Sequence, residues 1–303
     1  MKLDSHSNKV LITGINGFTG IHLEKYLLKK GFLVYGTVVG KPTNKHHFQC
    51  DIRSKEEVEK VVAHVKPNYV IHIAAISFAG ESNASLIYDV NVIGTHNLLE
   101  ALHQTNTNLH KVIVASSATV YGNQGKETLD ESMCPKPVNY YGISKLAMEH
   151  LAKTYFDKLN IIITRPFNYT GLGQAEHFVV PKIVSHFVRK CKNIELGNIN
   201  VSREFNDIRY VLDIYYQLML SSEKSTIVNI SSSKPIKLLE VIKMMEKISN
   251  HKIEININPD YVRENEIPLL KGSVAKLESM ITLPDNYSTN MMLKTMYEGN
   301  NND

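Results

Sequence analysis

The chain is predicted to be an α/β protein, a doubly wound parallel sheet followed by a smaller C-terminal α/β lobe. Three observations predict it. A branched apolar run, Lys9-Val10-Leu11-Ile12-Thr13, leads directly into Gly14-Ile15-Asn16-Gly17-Phe18-Thr19-Gly20 and a helical stretch. Strand and helix patterns then alternate as far as Pro166, and right-handed crossovers turn such alternation into one sheet with helices on both faces. Beyond Pro166 the segments become shorter and more isolated: Ile194–Leu196, Ile227–Ile230 and Ile253–Ile257. The expected division is residues 1–166 and residues 167–303.

Taken in order, Lys9–Thr13 reads as a buried strand. Gly14, Gly17 and Gly20 then suit a tight turn, close backbone approach to a pyrophosphate, and close helix-on-strand packing. Asn16, Phe18 and Thr19 fill the same turn, and the helix N-terminus behind it offers unpaired N–H groups to a phosphate. Strand, glycines and helix in that order predict a dinucleotide site in the first domain, although the spacing is GxxGxxG rather than GxGxxG. Gly31 stops the helix. Phe32–Val39 is the second strand, and its tip, Thr37-Val38-Val39-Gly40-Lys41, lacks the acid that would hold a ribose 2′-hydroxyl. With Lys41 close behind, the expected cofactor is NADPH, with NADH as the alternative. Phe48–Ile52 is the third strand. Asp51 is placed either to accept from an adenine amino group or to cap a helix over Ser54–Val65.

Tyr69–Ala75 is the fourth strand, whose small end residues Ala74 and Ala75 leave room for a ligand. A long helix from Asn83 to Gln104 follows, with Ile87, Asn91, Gly94, Leu98 and Leu102 on one stripe. Asn91 and Gly94 are odd members of it; Asn91 either locks backbone near the site or sits at an interface. Val112–Ala115 is the fifth strand and runs into Ser116-Ser117-Ala118-Thr119-Val120-Tyr121-Gly122, a turn that points hydroxyls into the cleft. The loop Asn123–Asn139 leads to a helix in which Ile143, Ala147, Leu151 and Tyr155 recur at a spacing of four. Tyr141 and Lys145 project together from it. An ammonium beside a phenol favours phenolate and lowers its pKa, which suits a proton donor or acceptor at a carbonyl or alcohol oxygen. On spacing alone, the pair is more often an idle surface contact. Ile161–Arg165 is the sixth strand.

Bulk properties exclude several classes. Thirty-four basic against 30 acidic residues leave a net charge of +4, with no basic cluster interleaved with aromatics, so no nucleic-acid partner is expected. Cys50, Cys134 and Cys191 are odd in number and far apart, as reduced thiols of a cytoplasmic protein are. The thirteen histidines show no ligand spacing, and no metal is expected. Met1–Lys9 lacks an apolar signal core, and no later run is long enough to span a bilayer.

Together, Gly14-x-x-Gly17-x-x-Gly20, Asp51-Ile52, Ser116 to Gly122, Tyr141-x-x-x-Lys145 and Arg165-Pro166-Phe167-Asn168 resemble the extended short-chain dehydrogenase/reductase family, with its Rossmann domain. That is the group of nucleotide-sugar epimerases, dehydratases and reductases, and the resemblance runs from Lys9 to about Met280. It implies Tyr141 as proton donor or acceptor, Lys145 on the nicotinamide ribose, and Ser117 on the reacting oxygen. It also implies Ile52, Ala74, Ala75, Asn91 and Pro166 beside the cofactor. Asn168, Val180, Lys182, Arg203 and Arg263 would hold the sugar nucleotide, paired guanidinium groups being suited to a diphosphate. A homodimer through the helices of Asn91 and Tyr141 is a further family expectation.

Dehydratases of this group carry an Asp-Glu pair after the Ser/Thr; here Ala118 and Thr119 stand there, so dehydration is disfavoured. The second lobe, with Arg165-Pro-Phe-Asn-Tyr-Thr-Gly171, Gln174, Phe178-Val-Val-Pro181, Leu196-Gly-Asn198, Arg203-Glu-Phe-Asn-Asp-Ile-Arg209 and Arg263-Glu-Asn-Glu-Ile-Pro268, resembles 4-keto-6-deoxyhexose reductases of GDP sugars. Glu264, where a proline is common, and Ser273, where an acid is common, leave guanine or thymine open as the base. The expectation is an NAD(P)H-dependent reductase of a nucleotide-diphospho-4-keto-6-deoxyhexose, serving surface polysaccharide. A nucleotide-sugar 4-epimerase is the alternative, and a non-catalytic dinucleotide sensor the more distant one.

Overall fold

Seven parallel strands form the central sheet: β1 Lys9–Thr13, β2 Leu33–Val38, β3 His47–Gln49, β4 Tyr69–His72, β5 Lys111–Ala115, β6 Ile161–Pro166 and β7 Thr226–Ile230, in the order β7-β6-β5-β4-β1-β2-β3. This is a computed structural model, and it describes residues 8–77, 83–105, 108–262, 267–285 and 287–300. Strand order reverses between β1 and β4, which opens a crevice at their C-terminal ends where such sheets bind ligands.

Alternation along each strand builds two cores. Val10, Ile12, Ile71, Ile113, Ile162 and Val228 face α1 (Phe18–Lys29) and α7 (Ile208–Leu220), meeting Leu23, Leu27, Val211, Tyr215 and Leu218. Leu11, Val70, Val112, Val114, Ile161 and Ile163 face the other way, against α2 (Lys55–Val65), α4 (Gly94–Thr105) and α5 (Tyr140–Lys153). Both faces are covered, which is why these strands read as unbroken apolar runs. A third core joins α6 (Val179–Val188), α8 (Leu238–Ser249) and α10 (Thr289–Asn300) to the paired strands Asn193–Leu196 and Glu254–Ile257.

Several elements differ from the sequence expectation. The sheet does not end at residue 166: β7 returns from the second half of the chain to pair with β6, and α7 covers it, so residues 208–230 pack with the first domain. The third strand stops at Gln49: Cys50 N still donates to Val38 O on β2 (2.8 Å), and the chain then turns, Ser54 N donating to Asp51 O (2.9 Å). The fourth stops at His72 rather than Ala75, because Ala74 N donates to the Thr13 side chain (3.2 Å) and not to a strand. The long helix is broken in register by a π turn over Asp89–Ile93, between α3 (Ala84–Tyr88) and α4; its expected stripe, from Ile87 to Leu102, is buried throughout. The apolar repeat expected after Tyr141 lies at the edge of the buried face: Ile143 is 39% exposed, Ala147 and Leu151 are half-buried and only Tyr155 reaches the core, while Ser144, Lys145, Met148 and Glu149 are buried. No helix among the described residues is long and apolar enough to cross a membrane.

Candidate active site

At the crevice, Gly14 takes φ +71 and lies so near Ala74 that a Cβ would sit 3.0 Å from its Cα. Gly20 lets α1 press onto the turn; a Cβ there would meet the Ile15 carbonyl oxygen at 2.5 Å. The N-cap of α1 is Gly17, which brings no side-chain acceptor, so the first-turn N–H groups are left for an anion. Asn16 and Gly17 are exposed at the mouth, and Phe18 is half-buried. This donor set, and the lack of a carboxylate at the end of β2, fit a dinucleotide pyrophosphate and a ribose with or without a 2′-phosphate.

The facing wall is Ala74-Ala75-Ile76. Asn91, 1% exposed on the π turn, clamps it: Asn91 Oδ1 accepts from Ile76 N (2.9 Å) and Nδ2 donates to Ile76 O (3.2 Å). Both roles left open for Asn91 thus resolve into locking backbone. Asp51 does not cap α2; Ser54 does, accepting from Glu57 N. The Asp51 carboxylate instead takes the forked guanidinium of Arg53 (Nη2–Oδ2 2.6 Å), which holds its pKa below the usual range. Ile52 is buried in the core beneath.

Asn139 caps α5, its side chain accepting from Gly142 N at 2.8 Å, and fixes the turn carrying Tyr141. Ser117 stands beside the Tyr141 phenol and acts to lower its pKa. Ser117 Oγ in turn accepts from Thr119 N (3.2 Å) and Thr119 Oγ1 (2.9 Å). With both lone pairs of Ser117 used, its own proton points to the Tyr141 oxygen or to a ligand oxygen beside it. Lys145 is 4% exposed and donates from Nζ to the Ala115 carbonyl at 2.7 Å.

The electrostatics correct the expectation that Lys145 acidifies Tyr141. Burial pushes the Tyr141 pKa up to about 12, against which Ser117 acts in the opposite direction. Burial likewise brings Lys145 down to about 8, with Glu149 opposing it. The Lys145 ammonium is turned to a backbone carbonyl, and desolvation of the phenolate dominates the Tyr141 shift. At neutral pH the phenol therefore holds its proton, as a general acid must.

Sequence reasoning missed three supports. Glu149, one turn beyond Lys145, is fully buried and accepts from Arg165 Nε (2.9 Å), Arg165 Nη2 (2.7 Å) and Ser116 Oγ (2.6 Å). The signal was present: Glu149 is four residues after Lys145, and Arg165 ends β6. Tyr169 shares a 2.9 Å hydrogen bond with Thr19 and stacks on Phe18, so the turn after β6, through Pro166, reaches the glycine turn. Glu204, fully buried, accepts from Ser231 Oγ, Ser232 N and Gly272 N, each at 2.7 Å, and ties the second lobe to the end of β7.

The expected substrate residues are spread over the lobe. Asn168 is exposed at the end of β6. Arg203 donates from Nη1 to the Ser202 and Pro268 carbonyls (2.8 and 3.4 Å). Lys182 donates to the Glu195 carbonyl (2.7 Å) and lies 4.3 Å over the Tyr261 ring. Val180 is 2% exposed, in the lobe core. Arg263 lies outside the described residues.

Comparison with known proteins agrees with this architecture. The family model for GDP-mannose 4,6 dehydratase matches residues 11–296. The chain is 36% identical over 293 residues to a GDP-6-deoxy-D-talose 4-dehydrogenase of Aggregatibacter actinomycetemcomitans, covering 96% of this chain and 97% of the relative. It is 29% identical over 282 residues to a GDP-6-deoxy-D-mannose reductase of Pseudomonas aeruginosa, covering 89% and 90%. The structure of RMD from Pseudomonas aeruginosa complexed with NADPH superposes with a TM-score of 0.86 at 26% identity, over 97% of this chain and 98% of that one. The chain belongs to the GDP-mannose 4,6-dehydratase family, within the extended short-chain dehydrogenases/reductases.

Proposed function

We propose that this NAD(P)-dependent oxidoreductase reduces the C4 ketone of a GDP-linked 4-keto-6-deoxyhexose, with NADPH as donor and NADH as the alternative. One observation carries the reading: beside Tyr141 and Ser117, Ala118 is buried and Thr119 is turned onto Ser117, where a dehydratase would place acids. Two relatives named for GDP sugars favour guanine over thymine. The 6-deoxytalose relative, the more similar of the two, favours a talo-configured product.

Bound nicotinamide supplies a hydride to the sugar C4. The chain's residues do the rest. Gly14, Asn16, Gly17, Phe18, Thr19 and Gly20 hold the pyrophosphate; Asp51 and Ile52 flank the adenine; Ala74, Ala75, Asn91 and Pro166 wall the cleft. Lys145 keeps N–H donors for the nicotinamide ribose beyond the one given to Ala115. Ser117 holds the ketone oxygen, and Tyr141 gives it the phenolic proton as the alkoxide forms. Asn168, Arg203 and Arg263 hold the nucleotide diphosphate, with Lys182 and the Val180 backbone beside them. The same proposal includes a cytoplasmic homodimer through the helix of Asn91 and α5, where Ile93 on the π turn (47%) and Ile143 on α5 (39%) are exposed, and a product destined for surface polysaccharide.

The test is absorbance of the reduced nicotinamide with GDP- and dTDP-linked 4-keto-6-deoxy sugars. Stoichiometric loss with the GDP sugar is expected. Bound NAD with no net consumption would mean a 4-epimerase, and no turnover with any candidate would contradict the reductase.

A further inference from the structure

His72 ends β4 beneath the cleft, 3% exposed, and no role in the proposed chemistry uses it. Its two ring nitrogens join two threonines: Nδ1 lies 2.7 Å from Thr13 Oγ1, and Nε2 lies 2.8 Å from Thr95 Oγ1. Its neighbours fix the direction of each bond. Thr95 spends its proton on the Asn91 carbonyl (2.7 Å), so Thr95 accepts and His72 Nε2 donates. Nδ1 is then an acceptor, and Thr13 donates to it while accepting from Ala74 N (3.2 Å). The tautomer follows from the network. Burial and the charge of Lys145 bring the His72 pKa down to about 3, so the ring stays neutral and this single pattern persists across the working pH range.

The two ends of the pattern reach opposite walls. On one side, Thr13 precedes Gly14 and sets the Ala74 peptide. On the other, Asn91 Nδ2 donates to Ser144 Oγ (3.0 Å), which donates to the Tyr141 carbonyl (2.8 Å). We propose that His72 is a positioning residue that couples the cofactor-side wall at Thr13 and Ala74 to the helix turn bearing Tyr141, so that the two walls keep one spacing. An apolar residue would fill the same volume but cost each of two buried hydroxyls one bond, the Thr13 proton losing its acceptor and the Thr95 oxygen its donor. The π turn at Asp89–Ile93 gives the coupling its route, because it brings Asn91 and Thr95 onto the same joint.

Two substitutions cut the joint on different sides. His72→Asn puts an amide oxygen near the Nδ1 position, keeping the Thr13 bond and losing the Thr95 bond. His72→Gln reaches the Nε2 position, keeping Thr95 and losing Thr13. The measurement is amide hydrogen exchange of residues 140–146 without ligand, alongside NADPH affinity and kcat. His72→Asn should speed exchange at 140–146 about tenfold and lower kcat about tenfold, with NADPH affinity within about threefold. His72→Gln should weaken NADPH about tenfold and leave exchange at 140–146 within about threefold. Should either variant fail to fold, Thr95→Val must reproduce the His72→Asn pattern, with Thr95→Ser restoring wild-type behaviour. Equal changes in both His72 variants, or none in either, overturn the proposal, as does wild-type exchange in Thr95→Val. The kinetic arm rests on the reductase reading. The exchange arm needs neither cofactor nor substrate, so the two can fail separately.

Discussion

Two stretches of α5, two turns apart, handle ionisable groups in opposite ways. Tyr141 is half-buried at the cleft, with its phenol beside Ser117. Glu149, two turns along, is sealed, with both oxygens taken by Arg165 and one shared with Ser116. Lys145 stands between, buried like Glu149 but with N–H donors still to give. The helix thus has an end whose polar groups are completed by a ligand and an end whose charges cancel internally. The guanidinium of Arg165 also lies 4.8 Å over the Tyr121 ring, and Tyr121 donates to Asn229 (2.7 Å), which extends that closed network to β7.

The contrast predicts different symptoms at the two ends. Tyr141→Phe should lower kcat by about 10²–10⁴ and leave NADPH affinity nearly unchanged, since it removes only the proton donor; stopped-flow turnover beside a fluorescence titration reads both. Glu149→Ala should instead cost about 3–5 kcal/mol of stability in denaturant titration, because it strands a buried guanidinium. The double variant Glu149→Leu/Arg165→Met should recover most of that loss. A Glu149→Ala protein of wild-type stability would erase the distinction between the two ends.

Lys145 gives a pH signature. Its folded pKa of about 8 lies below the unfolded value, so the unfolded chain binds more protons above pH 8. That group's contribution to stability is lowest below pH 8, and rises towards the unfolded pKa by at most about 1.4 kcal/mol per pH unit. Any stability advantage of Lys145→Met should therefore shrink from pH 8 to 10, and a constant difference between the two melting series would contradict the burial argument. The smallest effect is expected at the cap. Asn139→Ala should cost about 1 kcal/mol and raise exchange at the Gly142 amide, without touching the Glu149 end.

The same contrast explains what was legible in the sequence. The glycine turn was legible because its chemistry is local: strand, glycines and helix are contiguous from Lys9 to Lys29. The fold class and family were legible through motifs carrying their own spacing. Asn91 showed itself as a polar residue on an apolar stripe. The π turn did not show, because its cause is tertiary: Asn91 bonds Ile76 and Ser144 from other elements. For the same reason β7 looked like part of the second lobe until β6 paired with it. The direction of the Tyr141 shift was misread because helical spacing reveals which groups share a face and says nothing of how deeply the sheet and loops bury them. The repeat from Ile143 misled in a similar way, since the buried face of α5 mixes Ser144, Lys145 and Glu149 with Met148 and Ala152.

The central claim is that a nicotinamide hydride is consumed at a sugar C4 while Tyr141 supplies the proton. Its most direct test is one turnover with NADPH carrying deuterium at the transferable position of C4 and GDP-4-keto-6-deoxymannose, with the product read by NMR. The account predicts one deuterium at the sugar C4 for each NADPH oxidised in the wild type, and little product in Tyr141→Phe. Oxidation of NADPH with no deuterium at C4, or full turnover in Tyr141→Phe, would contradict it.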